Sequence, residues 1–466
     1  MAEPLTAEEL ARALRDLQVW ALENAPSEES PLRRRLREHL GVEPSGLPVV
    51  SRELPRWERP NLQVALDAYL DEPGRTHEYL GLGPQRGWHM GLAELAQRPG
   101  RGPGVHVGWM QAGPHEHVTV QVGERTIVCV AAGLFLIAEG ERRLAALVRA
   151  AEQHGPEPGI VLEAMAPSRA DAEDFLAETA RLQSVHNVYR GRVLEVGGSP
   201  WGGIDIQVRN LPSVARDGIV LPEGVLERIE RQTLGIAEQA ERLRAAGRHV
   251  KRGLLLYGPP GTGKTLTAMY LANRMPERTV LVLTGTGLAA IGPACTIARS
   301  LAPSMVVLED VDLVALERDE ERSSALLFEL LNEMDGLQAD LDIVFLLTTN
   351  RADRLEPALA ARPGRVDLAV ELPVPDAAGR RKLIDLYGRG LELRAGDLAS
   401  LIERTEGASP AFIRELLRRA VLLALESRDG AAVVDDRLLD EALEELTTGG
   451  GPLTANILGL TAGERG

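Results

Sequence analysis

The eight residues Gly-Pro-Pro-Gly-Thr-Gly-Lys-Thr at 258–265 constrain this chain more than any other feature. They follow the apolar run LLLY (254–257) and open onto the helical stretch LTAMYLANRM (266–275). A glycine-rich turn between a buried strand and a helix N-terminus gathers backbone N–H groups around an anion, and the helix dipole adds to their pull. Gly258, Gly261 and Gly263 let the backbone make that turn. Lys264 brings a point charge to the outer phosphates of a nucleoside triphosphate, and the Thr265 hydroxyl can ligate Mg²⁺. The pattern predicts a phosphate loop set in an α/β sheet.

The surrounding sequence agrees. LLLY, VLVL (280–283), MVVL (305–308), IVFLLTT (343–349) and VDLAVEL (366–372) are short apolar runs without alternation, as parallel strands buried on both faces require. Amphipathic helical segments separate them. The expected fold class is α/β, a P-loop NTPase with a doubly wound parallel sheet, followed by a small all-helical lid and preceded by an N-terminal α/β (α+β) domain. Expected boundaries are 1–104 (mostly helical), 105–215 (α/β domain and linker), 216–374 (ATPase large domain), 375–447 (helical lid) and 448–466 (mobile tail). Within the N-terminal half, helices are expected over 5–24, with Thr6 as cap and Glu9 three residues on, and over Asn61–Leu70. A hairpin is expected over 118–130 around Gly123-Glu124, helices near 140–153 and 168–184, and strands at 159–165 and 188–196.

Acids stand where such a sheet presents ligands. MVVLEDVD (305–312) puts Glu309 and Asp310 at the carboxyl end of a buried strand. One of them should coordinate Mg²⁺, directly or through water, and the other should polarise the attacking water. Asp312 reads as structural. On the next strand, Asn350 closes FLLTTN, where an amide can orient water or report the γ-phosphate; turn chemistry is the simpler alternative. LEPALAARPGRVD then offers Arg362 and Arg365 in a rigid Pro-Gly loop, either as trans-acting arginine fingers or as members of local salt bridges.

Together GPPGTGKT, LEDVD and the stretch from TTN350 to RPGR365 resemble the AAA ATPases over about residues 217–447. The resemblance implies an ATP-hydrolysing enzyme with ATP and Mg²⁺ as cofactors. It implies nucleotide contacts from Asp217, Gly218, Pro260, Gly261, Thr262, Gly263, Lys264, Thr265 and Leu266, with Asp217 and Gly218 in the segment that recognises adenine. It implies metal ligation by Thr265 with Glu309 and Asp310, and Arg362 and Arg365 reaching a neighbour's ATP in a homo-oligomeric ring, most often a hexamer. GASPAF (407–412) resembles the start of the second-sensor helix, without an arginine.

Three departures bear on mechanism. The acidic pair reads Glu-Asp instead of Asp-Glu, an inversion similar to that of the mitochondrial AAA translocase for the Rieske protein. By position Glu309 is then on the metal side and Asp310 on the water side. Where protein-threading members carry an aromatic pore residue, before the glycine matched by Gly292, this chain has Ala290 and Ile291. It has no HExxH, no hydrophobic-Tyr C-terminus and no membrane span.

Bulk properties narrow the partners. A net charge of −16 disfavours phosphate-backbone binding to nucleic acid. The two cysteines, Cys129 and Cys295, make neither a disulfide framework nor a metal spacing, and the N-terminus is not a signal peptide, so a cytoplasmic location is expected. His115-Glu116-His117 reads as an exposed loop, since no third metal ligand is identifiable. Trp57, Trp88, Trp109 and Trp201 read as packing, and ERDEER (317–322) as a solvated face. The leading expectation is a ring-shaped protein-remodelling ATPase whose N-terminal domain recruits a protein client. A slow-turnover, ATP-gated scaffold or switch is the alternative, and a DNA-associated motor the third.

Overall fold

The computed structural model describes residues 12–13, 15–17, 20, 29–82, 91–97, 112–151, 159–198, 204–312, 329–330, 332–334, 341–353, 366–427 and 433–449. They fall into two compact units, Met1–Val188 and Tyr189–Gly466.

The first unit starts, after the described residues of the helix expected over 5–24, with helix α1 (Pro31–Leu40). Ser30 caps it by accepting the Arg33 N–H at 3.1 Å, Pro31 fits its first turn, and Gly41 ends it in the left-handed region. Strand β1 (Val49–Leu54), helix α2 (Arg59–Leu70), strand β2 (Arg75–Gly81) and the short helix α3 (Leu92–Ala96) follow. Strands β3 (Glu116–Val122), β4 (Arg125–Glu139), β5 (Arg142–Ala150) and β6 (Ile160–Met165) lead into helix α4 (Arg169–Val185). The antiparallel sheet runs β1-β6-β5-β4-β2, with β3 paired to β4. The hairpin expected at 118–130 is present, turning between Val122 and Arg125.

The helix expected near 140–153 is instead strand β5. Its run LAALV is buried because both faces of the sheet are covered. Phe135, Ile137, Leu144 and Ala146 face the cluster beneath α2 and α4, while Leu134, Leu136, Ala145 and Leu147 face that beneath α1 and α3. With both faces apolar the period of two disappears from the sequence. His115 and His117 lie beside the Tyr79 ring, 4.3 and 6.0 Å between ring centroids, and among the described residues no group of three or more His, Cys, Asp and Glu is placed to hold a metal. Trp57 is half-buried, whereas Trp88, Trp109, Trp201 and 317–322 lie outside the described residues.

The second unit begins with the hairpin β7 (Val193–Gly198) and β8 (Ile204–Arg209), then helices α5 (Val225–Glu238) and α6 (Ala240–Ala245). The alternating core follows: β9 (Arg252–Tyr257), α7 (Lys264–Asn273), β10 (Thr279–Leu283), α8 (Ile291–Ser300), β11 (Ser304–Leu308), β12 (Ile343–Thr349) and β13 (Leu368–Glu371). Every expected core strand is present. The sheet order is β13-β9-β12-β11-β10-β7-β8, parallel throughout except for β8. Strands β7 and β8 extend it beyond β10, from residues that the sequence places in the N-terminal domain and linker.

The C-terminal part holds α9 (Ala377–Tyr387), α10 (Leu398–Arg404), α11 (Pro410–Ser427) and α12 (Asp436–Glu444) around Phe412, Ile413, Leu416 and Leu439. It is not wholly helical. Strands β14 (Glu392–Arg394) and β15 (Val433–Asp435) form a parallel pair, each too short to leave a pattern in the sequence. No described helix is long and apolar enough to cross a membrane.

Candidate active site

Strand β9 ends at Tyr257 and α7 begins at Lys264, so residues 258–263 bridge a buried strand and a helix N-terminus. Two glycines are dictated by space as well as conformation. A Cβ on Gly258, at φ 145°, would lie 2.3 Å from the Leu372 carbonyl oxygen at the end of β13. One on Gly261, at φ 77°, would lie 2.8 Å from Ser409 Oγ and 2.9 Å from Ala411 Cβ at the start of α11. Thr262 Oγ1 donates to the Pro259 carbonyl at 2.9 Å, bracing the turn. Pro260 and Leu266 are both exposed.

Lys264 is 6% exposed and its Nζ donates to the carbonyl oxygens of Gly258 and Pro259 at 2.9 and 2.8 Å. Burial lowers its pKa, and the carboxylates of Asp310 and Asp312 pull it back up. The ammonium thus faces the acidic end of β11 across the loop.

The three acids divide their work. Glu309 donates its N–H to the Leu283 carbonyl at 3.0 Å, and its carboxyl group lies within the influence of the Thr265 side chain. Burial pushes the Glu309 pKa up, the Thr265 side chain lowers it, and Asp310 raises it again. Asp310 turns the other way: its Oδ1 accepts from Asn350 Nδ2 at 3.0 Å. Asp312, 4% exposed, accepts from Thr349 Oγ1 at 2.8 Å and from the Asn350 N–H at 3.1 Å. It ties the end of β11 to the end of β12. The structure therefore brings Lys264, Thr265, Glu309, Asp310 and Asn350 to one carboxyl edge of the sheet.

Asp217 and Gly218 form a 3₁₀ turn (Arg216–Gly218). The Asp217 carboxylate is exposed and pairs with Arg389 at 2.8 Å. Immediately after the turn, Ile219 packs against the sheet-side core and Val220 against the helical core. The turn thus lies where the two parts of this unit meet. Ala290 and Ile291 are 5% and 3% exposed, at the junction of a 3₁₀ segment (Gly285–Ala290) with α8. That segment packs on β7, where a Cβ on Gly287 would meet the Val196 carbonyl oxygen at 2.5 Å. Arg362 and Arg365 lie outside the described residues. Sequence reasoning missed Thr348, whose hydroxyl accepts the Asp310 N–H at 3.0 Å; the only signal was its place in the TTN run.

A phosphate loop at a helix N-terminus, with paired acids and a polar strand end at the sheet's carboxyl edge, defines a P-loop nucleoside triphosphatase. The model of the AAA family, ATPases associated with various cellular activities, matches residues 254–374. These residues form a domain of the AAA ATPase family. It is 32% identical over 243 residues to a protein named 26S proteasome regulatory subunit 8 homolog from Schizosaccharomyces pombe, covering 49% of this chain and 56% of that one. It is 31% identical over 251 residues to the proteasome-activating nucleotidase of Thermococcus kodakarensis, covering 51% and 58%. It is 35% identical over 227 residues to the ATP-dependent zinc metalloprotease FtsH 2 of Symbiobacterium thermophilum, covering 45% and 38%. The chain thus spans between 38% and 58% of the length of these relatives.

Proposed function

We propose that the protein binds and hydrolyses ATP and uses the energy to remodel a protein client as a ring of identical subunits. The observation that carries this reading is the convergence of Lys264, the Glu309–Thr265 pair and the Asp310–Asn350 pair at one sheet edge. Lys264 would exchange its loop carbonyls for phosphate oxygens. Thr265 and Glu309 offer hard oxygen donors side by side, which suits Mg²⁺. Bound there, the ion would neutralise charge developing on the phosphates. Asp310, held by Asn350, would take the proton of the attacking water as general base. Arg362 and Arg365 would come from the neighbouring subunit, and the first unit would recruit the client. Two buried, unpaired thiols, Cys129 and Cys295, suit a reducing cytoplasm.

One observation favours a second reading, a slow ATP-gated switch. Ala290 and Ile291 are small or aliphatic and packed away in this unit, which gives an extended polypeptide nothing to stack on. Steady-state ATPase rate with and without unfolded protein separates the two readings. The nucleotide site itself is tested by Lys264→Ala, for which binding of a fluorescent ATP analogue should be lost. Unchanged affinity in that variant would sink the assignment.

A further inference from the structure

Asp310 is the one non-glycine residue among those described whose backbone occupies the left-handed region, at φ 50°. Aspartate tolerates that region better than most side chains, but something must hold it there. Strand β12 does so. Thr348, 1% exposed, accepts the Asp310 N–H on its hydroxyl at 3.0 Å and the Val311 N–H on its carbonyl oxygen at 3.0 Å. Two residues on, at the same phase of the strand's alternation, Asn350 donates to the Asp310 carboxylate at 3.0 Å. Asp310 is therefore gripped twice from one strand, by its backbone and by its side chain. Thr349, between the two, donates to Asp312 instead.

We propose that the Thr348 hydroxyl is a positioning group for hydrolysis, holding the reversed backbone that sets where the Asp310 carboxylate stands. This deepens the proposed function and rests on its reading of Asp310 as the base. An aspartate carries its carboxylate on a single methylene, so the backbone dictates its reach more directly than it would for glutamate. A valine at 348 has the shape of threonine but offers the Asp310 N–H no acceptor. The peptide then turns to find one, and the carboxylate moves with it. A displacement of about 1 Å at a reacting group can slow turnover by roughly a hundredfold.

The test uses the full chain carrying Thr348→Val, Thr348→Ser, Asp310→Asn or the Thr348→Val/Asp310→Asn double change. Steady-state ATPase kinetics and titration with a fluorescent ATP analogue are the readouts. Thr348→Val should lower kcat by roughly ten- to a hundredfold while leaving nucleotide Kd within about twofold. Thr348→Ser, which keeps the hydroxyl, should restore most of the rate. Adding Thr348→Val to Asp310→Asn should change the residual rate by less than about twofold, because the group being positioned is already disabled. A wild-type kcat in Thr348→Val, a Thr348→Ser variant as slow as valine, a matching loss of affinity, or a further full loss in the double variant each overturns the proposal. Full turnover in Asp310→Asn overturns the base assignment and the proposal together. A slow Asp310→Asn beside a fast Thr348→Val overturns the proposal alone.

Discussion

The carbonyl oxygen of Gly261 accepts the backbone N–H of Ala411 at 3.3 Å, so the phosphate loop is bonded directly to the first turn of helix α11. Ser409, fully buried, caps that turn by accepting the Phe412 N–H at 3.2 Å. A nucleotide that reshapes the loop must therefore move, or be resisted by, the helical part.

Gly261→Ala tests this contact. The new methyl would press on Ser409 and Ala411 at a backbone angle that disfavours side chains. Thermal denaturation should show a loss of about 2–3 kcal/mol, and nucleotide affinity should fall with it. Gly247→Ala is the control: its φ is also positive, at 68°, but nothing lies within 4 Å of the new methyl. It should cost only about 1 kcal/mol and leave nucleotide binding unchanged. Equal effects from the two variants would mean that the loop–helix contact carries no weight.

Glu309→Gln should weaken ATP binding in Mg²⁺ to the level that the native protein shows in EDTA. The Thr265 hydroxyl would keep a neutral acceptor beside it but lose the charge that a divalent ion needs. The expected loss is roughly tenfold or more, read by titration with and without Mg²⁺. If Glu309→Gln retains its full Mg²⁺ dependence, the metal-side role passes to Asp310.

His39 predicts a pH effect in the first unit. Its Nε2 lies 3.0 and 3.1 Å from the Ile137 and Leu144 carbonyl oxygens, and burial holds its pKa below the usual 6.5 despite those bonds. As pH falls below 6.5, the unfolded chain takes up a proton that the folded one refuses, so stability drops toward the lower folded-state value. Urea midpoints at pH 7.5 and 5.5 should differ less in His39→Gln than in the native protein. An identical pH dependence would remove His39 as a source.

What could be read in advance follows from how local each signal is. The phosphate loop and the acids of LEDVD are set by spacing along a few residues, and the five core strands by short runs rich in apolar residues. Strand β5 escaped because burial on both sides of the sheet erases alternation, leaving LAALV as compatible with a helix as with a strand. The strand expected at 188–196 forms over Val193–Gly198, but its place beside β10 depends on contacts more than eighty residues away. Thr348 was invisible for a similar reason. Its hydroxyl matters only because Asp310 adopts φ 50°, and that angle is a product of the tertiary setting. Asp312 was read as structural and stands 2.8 Å from Thr349 Oγ1.

The β7–β8 hairpin has a practical consequence for anyone handling the ATPase unit by itself. Without it, the terminal strand of the sheet would be β10, whose residues TVLVL are almost wholly buried. With it, the sheet ends among the described residues at β8, where exposed Asp205, Gln207 and Arg209 alternate with half-buried Ile204, Ile206 and Val208. Charged residues on a terminal strand discourage the edge-to-edge pairing that a bare apolar strand invites. A fragment starting near residue 216 would present β10 to its neighbours in solution and self-associate. One starting at Tyr189 would carry its own shield.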